Sequence, residues 1–326
     1  MEKICIVVGG SGFIGGFLIR DLLAKGEFGR IYNFDLRDRA FGDPRVQFNK
    51  VDVRLPITEE IGEFDPAHSW IFNLAALCRE PGSEPREYFD TNVGGAETVT
   101  AFAEAEGFRN LFFTSTMSSY GRMLHPTPET ARQYPETPYG ISKAIAEKIH
   151  LLWLEKDADR RLIMCRPGVI FGPGDVENVP RMLKAVKKGY FIFPGTPEII
   201  KGYGYVFGLV ESMAFTRAKA ERLITYNYAE KDCLPLGGMV KTFQEILGKK
   251  TFTVRMPMGL LVGAAYAISF LSRLVGRKTP IHPVRIRKLA FPTNLKPQYL
   301  IDQGFPFRYP LEAAVRHWKA QAPQDF

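Results

Sequence analysis

A tyrosine and a lysine one helical turn apart are the side chains of this chain best suited to proton transfer. Tyr139 and Lys143 stand four residues apart in the segment PYGISK, residues 138–143, so a helix places them on one face. A free tyrosine has a pKa near 10, and lowering it to about 7 takes roughly 4 kcal/mol. A neighbouring ammonium stabilises the phenolate and supplies part of that energy. The pair therefore predicts a general acid/base in which Tyr139 moves the proton.

A hydroxyl side chain is predicted to face the same crevice. Thr116 ends a strand predicted over residues 110–116, and ligands of parallel sheets bind beyond the carboxyl ends of the strands. The threonine hydroxyl is suited to hold a substrate hydroxyl or carbonyl while Tyr139 moves the proton. We therefore expect Thr116, Tyr139 and Lys143 to form a catalytic group.

A glycine-rich turn near the start of the chain predicts a phosphate site. The apolar residues 3–8 lead into the turn GGSGFIG, and an amphipathic stretch over residues 13–25 follows. Gly9, Gly12 and Gly15 let the backbone pass close to a pyrophosphate. The start of a helix adds free N–H groups and a partial positive charge. Strand, glycine turn and helix in this order are typical of a dinucleotide site.

An acidic residue at the end of the second predicted strand bears on the choice of dinucleotide. Asp35 lies 20 residues after Gly15. A carboxylate there accepts hydrogen bonds from the adenosine ribose hydroxyls and repels a 2′-phosphate, which favours NAD over NADP. Arg37 and Arg39 weaken that preference because they attract a phosphate. Asp52 ends the third predicted strand, where its carboxylate is suited to accept from an adenine amino group.

Alternating strands and helices must position these residues. The strands are predicted over residues 3–8, 30–35, 46–52, 70–76, 110–116 and 161–166, with helices over residues 13–25, 86–106 and 139–156. This alternation predicts an α/β fold, a Rossmann-type doubly wound parallel sheet with helices on both faces. Proline and glycine become frequent further on, so we divide the chain into a cofactor domain, 1–170, and a smaller α/β substrate lobe, 171–326. We expect an interleaved boundary, with some later segments returning to the first domain.

Composition narrows the classes of partner. The 326 residues carry a net charge of +8, with 45% hydrophobic and 24% charged residues. Such a balance suits anionic partners such as nucleotides, phosphates or a membrane surface. No block of lysine and arginine dominates, so nucleic acid is not expected. The four cysteines are scattered without a C-x-x-C pair, which predicts no metal site, no disulfide and a reducing compartment. The chain enters a strand at once, without a signal peptide, and we expect a cytoplasmic protein.

One long apolar segment has three interpretations. Residues 256–272 form a run of 17 residues without a charge, at the short edge of what crosses a bilayer. A buried or surface-packed helix is the favoured interpretation. Peripheral membrane contact comes second, and a membrane span comes last.

Taken in order, the motifs resemble the extended short-chain dehydrogenase/reductase family, in its NAD-dependent nucleotide-sugar epimerase/dehydratase branch. The resemblance covers about half of the chain: GGSGFIG (9–15), Asp35, DVR (52–54), NLAA (73–76), Asn92, TSTMSSYG (114–121), PYGISK (138–143) and RPGVIFGPG (166–174). It implies hydride transfer between a sugar carbon, usually C4, and nicotinamide, with Tyr139 as acid/base and Lys143 on the nicotinamide ribose. It also implies a homodimer formed through helices of the first domain.

The same resemblance implies which residues contact the ligands. For NAD they are Gly9, Gly12, Phe13, Ile14, Gly15, Asp35, Asp52, Val53, Leu74, Ala75, Ala76, Asn92, Tyr139, Lys143 and Arg166. For the nucleotide sugar they are Ser118, Asn178, Lys201 and Arg285. Lys201 stands where many members have an arginine that grips the diphosphate; it lacks the bidentate fork, and Arg285 or Arg287 is the alternative.

Departures from the family pattern separate the possible reactions. Dehydratases carry an Asp-Glu pair directly after the threonine, whereas Met117 and Ser118 stand here, so 4,6-dehydration lacks an acid/base pair. We expect an epimerase, otherwise a 4-keto reductase or dehydrogenase. A hydroxysteroid-dehydrogenase-like enzyme for an apolar alcohol is one alternative. A non-catalytic NAD(H)-binding scaffold or sensor is another, although such proteins typically lose the tyrosine or the lysine.

Overall fold

The computed structural model describes residues 1–79, 82–274 and 291–326. The strands are β1 Ile4–Val8, β2 Arg30–Asp35, β3 Val46–Lys50, β4 Trp70–Asn73, β5 Asn110–Thr114, β6 Met123–Thr127, β7 Arg161–Pro167, β8 Val169–Phe171, β9 Tyr190–Pro194, β10 Tyr203–Tyr205, β11 Leu223–Tyr228, β12 Phe252–Met256 and β13 Thr293–Leu295. The helices are α1 Phe13–Lys25, α2 Pro85–Ala105, α3 Pro138–Glu155, α4 Asn178–Lys187, α5 Val206–Arg217, α6 Leu236–Leu247, α7 Met258–Leu274, α8 Gln298–Asp302 and α9 Leu311–Gln321.

Seven parallel strands form the central sheet, in the order β11-β7-β5-β4-β1-β2-β3. The first strand shows why the sheet is covered on both faces, since all five residues of β1 are buried. Ile4, Ile6 and Val8 belong to one apolar cluster and Cys5 and Val7 to another. Side chains alternate across a strand, so the two clusters lie on opposite faces. The doubly wound Rossmann-type fold predicted from the sequence is thereby confirmed.

Amphipathic helices supply the two covering layers. Val99 of α2 and Ala146 and Trp153 of α3 join the cluster of Ile4, Ile6 and Val8. Leu18 of α1 and Met213 of α5 join the cluster on the other face. Two helices on each face leave the carboxyl ends of the strands open as a crevice, which is where such sheets bind ligands.

The second half of the chain contributes to both lobes. β11 pairs with β7 in the large sheet, and α5 packs on α1. Most of the other elements build a separate core around α4, α6 and α9, with Leu183, Phe243 and Trp318 among its buried members, whereas Leu300 of α8 joins the cluster of Cys5 and Val7. In the described part of the chain the remaining strands form the parallel pairs β8–β10, β9–β12 and β6–β13.

Two expectations need correction. β3 ends at Lys50 and β5 at Thr114, so Asp52 and Thr116 lie two residues beyond their strands rather than at the ends. The apolar segment forms α7, and Ala265 is the one buried side chain between residues 258 and 268, so of the two expected packings the described part of the helix has the surface-packed one. Of the helices in the described ranges, none is long and apolar enough to cross a membrane.

Candidate active site

The first turn of α3 positions the predicted acid/base at the crevice. Thr137 caps the helix, accepting a 3.1 Å hydrogen bond from the Gly140 N–H, and Pro138 fills the first turn. Tyr139 is therefore fixed at the start of a helix that runs away from the crevice, with Lys143 one turn further along. The Lys143 side chain is buried, and its Nζ lies 4.0 Å from the ring centroid of Phe113 on β5.

A tight turn brings the threonine beside this helix. Thr116 precedes the 3₁₀ turn Met117–Tyr120, and its Oγ1 accepts a 3.1 Å hydrogen bond from the Ser118 N–H. A Cβ added to Gly140 would lie 2.5 Å from the Ser118 carbonyl oxygen, so only a glycine lets the turn pack so closely on the first turn of α3. Thr116 uses a lone pair in its capping bond, so its hydroxyl proton remains available to a ligand oxygen.

Burial controls the charge of Lys143. Removal from water lowers its pKa from 10.5 to about 7, while the nearby Glu147 and Cys78 act in the opposite direction. Lys143 therefore exchanges its proton near pH 7, one helical turn beyond Tyr139.

This buried lysine predicts a pH-dependent stability in the cofactor-free protein. The unfolded chain keeps Lys143 protonated up to about pH 10.5, whereas the folded chain releases the proton near pH 7. Stability therefore rises with pH between these values and carries the full burial penalty below pH 7. Relative to Lys143→Met, the wild type should gain about 3 kcal/mol between pH 7 and 9.5. Urea unfolding measures the difference, with the exposed Lys148→Met as control. A gap that stays constant with pH would contradict the buried, shifted lysine.

The glycine turn fits the pyrophosphate of a dinucleotide. Gly9 has a φ of +85°, and a Cβ on it would lie 2.8 Å from the Ala75 backbone nitrogen. A Cβ on Gly15 would lie 2.4 Å from the Gly9 carbonyl oxygen. Gly12 begins α1 without a side-chain cap, so the N–H groups at Phe13 and Ile14 remain available to an anion. These are the features that a phosphate cradle requires.

Asp35 lies directly beside this turn. Its Oδ2 accepts from the Ser11 N–H at 3.1 Å and its Oδ1 from the Arg37 N–H at 3.1 Å. The Arg39 guanidinium lies over the start of α1 and donates to the Gly12 carbonyl oxygen at 3.1 Å. The Asp35 carboxylate and the Arg39 guanidinium thus lie beside the glycine turn, at the place predicted for an adenosine ribose.

Removing the Asp35 charge should change the choice of cofactor. Asp35→Asn loses an anionic acceptor, so NADH should bind about tenfold more weakly. NADPH should gain affinity relative to NADH because Arg37 and Arg39 remain. Fluorescence titration with both cofactors gives the ratio, and the exposed Asp38→Asn serves as control. An unchanged NADH-to-NADPH ratio would show that Asp35 does not face the ribose.

The other residues predicted to contact the cofactor differ in their surroundings. Leu74, Ala75 and Ala76 follow β4 at the open end of the sheet. Val53 is buried against α2, 2.9 Å from where a Cβ on Gly95 would lie. The Asp52 carboxylate is bound to the Arg54 guanidinium at 2.5 Å, an interaction that competes with an adenine amino group.

Asn92 acts within the protein in this structure. Its side chain accepts from the Leu77 N–H at 2.9 Å and donates to the Leu77 carbonyl at 3.1 Å. The same amide donates to the Ser142 Oγ at 2.9 Å. Asn92 therefore ties the loop after β4 to α3, next to Lys143.

Arg166 was predicted to contact the cofactor, but its guanidinium is already committed. It forms a bidentate ion pair with Glu147, with distances of 2.9 and 2.7 Å, and donates to the Tyr120 hydroxyl at 2.7 Å. Both charged side chains are buried. Ser115 and Gln133 also donate to the Glu147 carboxylate. The arrangement gives Arg166 a structural role beneath the crevice.

Glu147 was missed by the sequence reasoning. It stands four residues after Lys143 and eight after Tyr139, so all three share one face of α3. The signal in the sequence that indicates a role for Glu147 is a carboxylate on the buried face of an amphipathic helix. Glu147 acts as a positioning residue because it fixes Arg166 and raises the pKa of Lys143 against the larger effect of burial.

The predicted substrate residues are spread over both lobes and are less well grouped. Ser118 lies in the turn beside Thr116. Asn178 is exposed at the first residue of α4. Lys201 donates to the Phe291 carbonyl oxygen, and burial lowers its pKa to about 8. Arg285 and Arg287 lie outside the described residues.

Comparison with known proteins identifies a family and several relatives of this chain. The model of the NAD dependent epimerase/dehydratase family matches residues 5–227. An N-acetyl-alpha-D-glucosaminyl-diphospho-ditrans,octacis-undecaprenol 4-epimerase of Escherichia coli O157:H7 is 30% identical, over 97% of this chain and 94% of its own. The sterol-4-alpha-carboxylate 3-dehydrogenase ERG26 of Saccharomyces cerevisiae is 25% identical, with 88% of each chain covered.

A solved structure extends the likeness to the whole fold. The UDP-glucose 4-epimerase of Thermus thermophilus, solved with NAD, superposes with a TM-score of 0.72 at 20% identity and covers 97% of both chains. The matched segment of the family model contains the glycine turn, Thr116, Tyr139 and Lys143. The chain therefore belongs to the NAD-dependent epimerase/dehydratase family, of the extended short-chain dehydrogenase/reductase type.

Proposed function

We propose that the protein is an NAD-dependent 4-epimerase whose substrate is a sugar bearing a diphosphate at C1, with a nucleotide sugar as the first candidate. The observation that carries the proposal is the packing of Tyr139 and the buried Lys143 on one helix face, next to Thr116. The likeness to 4-epimerases, one of them 30% identical over 97% of the chain, supports the choice of carbon.

The side chains have distinct parts in this reaction. Bound NAD supplies the hydride acceptor for the C4–H bond and the donor for the return. Tyr139 takes the proton of the C4 hydroxyl as the carbonyl forms. It returns the proton after the 4-keto sugar has rotated in the site and presents its other face to the hydride. Thr116 donates a hydrogen bond to the same oxygen and holds it in place. Lys143 stabilises the Tyr139 phenolate and lies where a nicotinamide ribose is held in this family.

A net redox reaction or a dehydration is less well supported. Because hydride leaves and returns, an epimerase needs no second substrate. Met117 and Ser118 occupy the turn after Thr116, and neither offers the carboxyl groups that expulsion of water requires. A 4-keto reductase or dehydrogenase would use the same three residues but would release its product oxidised or reduced.

A glycosyl diphosphate carried on a polyprenol is the second candidate substrate. The 30% identical relative is named for such a substrate. The second lobe supports it as well, because Lys201, in place of the usual arginine, bonds the Phe291 carbonyl. A site without that bidentate fork grips a nucleoside diphosphate less specifically.

Two alternatives from other classes fit less well. A sterol substrate rests on a relative at 25% identity, below that of the 4-epimerase. A non-catalytic NAD(H) sensor would have no use for the buried Lys143 beside Tyr139.

A substrate panel tests the proposal. Purified protein with added NAD is incubated with UDP-, GDP- and dTDP-hexoses, their N-acetylated forms, and N-acetylglucosaminyl diphosphoundecaprenol. Chromatography and mass spectrometry then separate the 4-epimers. The expected result is interconversion of one gluco/galacto pair without net NADH formation. No turnover of any member, or oxidation of a 3β-hydroxysteroid alone, would overturn the proposal.

The assembly and location are also proposals. The outer face of α3 exposes Ile145 and Leu152, at 40% and 67%, seven residues apart, and this stripe supports the homodimer. Sedimentation velocity that finds only monomer at micromolar concentration would contradict it. All four cysteines are free thiols, which supports a cytoplasmic location; fractionation that recovers the protein outside the cytoplasm would contradict that.

A further inference from the structure

One part of the second lobe exposes large apolar side chains on the strand pair β9–β12 and on the helix α7 that follows it. We call it the apolar ridge: Tyr190 and Ile192 of β9, Phe252 of β12, and Leu260 and Ile268 of α7. Their exposed fractions are 49%, 42%, 73%, 66% and 40%. Single exposed apolar residues are ordinary, whereas a grouped set marks an interaction surface.

The backbone groups the strand residues of the ridge and places the start of α7 next to them. β9 and β12 pair in parallel, with Tyr190 opposite Phe252 and Ile192 opposite Val254, so these side chains point to the same side. α7 begins two residues after β12 ends, and Met258 at its start lies next to Gly195 at the end of β9. The helix therefore starts beside this sheet.

Basic side chains border the ridge. Lys187 and Lys188 precede β9, while Lys249 and Lys250 precede β12. The Phe252 N–H donates to the Gly189 carbonyl at 2.9 Å and joins the two pairs of lysines at one end of the sheet. Arg255 is exposed on β12.

The charge of this region has one sign. Residues 178–194 and 248–268 together hold seven lysines and arginines and no aspartate or glutamate. Glu177, just before α4, is paired with Arg181 and Arg79, and Glu245 on α6 lies near Lys241. An isologous contact with a second copy would bring these positive charges together, so the surface favours an anionic partner.

Aromatic and aliphatic side chains bordered by lysines match the surface of an anionic bilayer. Aromatic rings and aliphatic groups enter the interface, and basic groups attract acidic headgroups at about 1 kcal/mol each. We propose that the apolar ridge and its lysine border dock this protein on the surface of an anionic membrane, as a peripheral contact. The net charge of +8 adds a long-range attraction of the same sign.

The proposed membrane docking does not depend on the proposed 4-epimerase reaction. A docked enzyme has direct access to a polyprenol-linked sugar, but binding to lipid requires no substrate and no NAD. If no sugar in the substrate panel is converted, the membrane test can still be interpreted. If the protein does not bind vesicles, the proposed 4-epimerase activity is unaffected.

Vesicle flotation of the full-length protein tests the docking. The vesicles are pure phosphatidylcholine or contain about 30% phosphatidylglycerol. The wild type should float with the anionic vesicles and stay behind with the neutral ones, and about 0.5 M NaCl should release it. Phe252→Ser with Leu260→Ser, or Lys249→Glu with Lys250→Glu, should each weaken binding by about tenfold or more.

Matched control variants distinguish binding through the ridge from nonspecific adsorption to vesicles. The exposed Leu124 lies on β6 and the exposed Lys3 just before β1, both outside the ridge. Leu124→Ser and Lys3→Glu should float like the wild type, and circular dichroism melting checks that every variant is folded. Absence of binding to anionic vesicles, or binding that the ridge variants leave unchanged, would overturn the proposal. Lipid-independent self-association that disappears in Phe252→Ser/Leu260→Ser would overturn it in favour of a second copy.

Discussion

Tyr139→Phe should lower kcat for the 4-epimerisation by about 10³ while the dissociation constant of NADH changes by less than about threefold. The substitution removes one oxygen from a half-buried ring at the start of α3 and leaves the packing with Tyr88, whose ring centroid is 6.4 Å away, in place. The lost function is the proton transfer alone, because the glycine turn and Asp35 are untouched. Rates under saturating substrate, with NADH titrated by fluorescence, give both quantities.

The matched control is Tyr134→Phe. Tyr134 is 60% exposed and lies five residues before Tyr139, so its substitution should leave kcat within about twofold of the wild type. If Tyr139→Phe kept most of the activity, the acid/base would be another residue. A protein whose cellular effect survived Tyr139→Phe without any turnover would be a sensor rather than an enzyme.

Arg166→Met should lower the free energy of unfolding by about 3–5 kcal/mol at pH 7. Glu147 would be left buried and charged without its bidentate partner, although Ser115 and Gln133 would still donate to it. Replacing both partners, as in Glu147→Leu/Arg166→Met, should recover much of the loss because neither member of the pair is then left as an unpaired buried charge. Urea unfolding of the three proteins supplies the comparison.

An exposed ion pair gives the scale for this effect. Arg316 and Glu312 are 2.8 Å apart with side chains about 60% exposed, and Arg316→Met should cost less than about 1 kcal/mol. A loss of the same size in Arg166→Met would show that the buried pair is not important to the fold. Weakened NAD binding at unchanged stability would restore Arg166 to the cofactor site.

The first half of the fold was predictable because its signals are local. β2 and α1 have the bounds expected from the sequence: buried parallel strands are continuous apolar runs, and glycine and proline punctuate them. Lys143 and Tyr139 could be paired because helix geometry fixes the relation of residues four apart.

Two of the predicted site residues contact partners that are distant in the sequence. Arg166 ends up with Glu147, 19 residues away on another element, and only the packing of α3 on β7 brings them together. Lys201 likewise meets the Phe291 carbonyl 90 residues further along. For α7 the composition indicates a buried or a surface-packed helix and cannot choose between them, whereas in the structure Leu260 is 66% exposed.

Deuterium tracing tests the central claim most directly. The enzyme is incubated with its diphosphate sugar carrying deuterium at C4, in ordinary water with NAD, and the 4-epimer is isolated for NMR. If Tyr139 moves only the hydroxyl proton and hydride leaves and returns within one site, the product keeps its C4 deuterium. Loss of that deuterium to solvent, or conversion that proceeds equally well in Tyr139→Phe, would contradict the account.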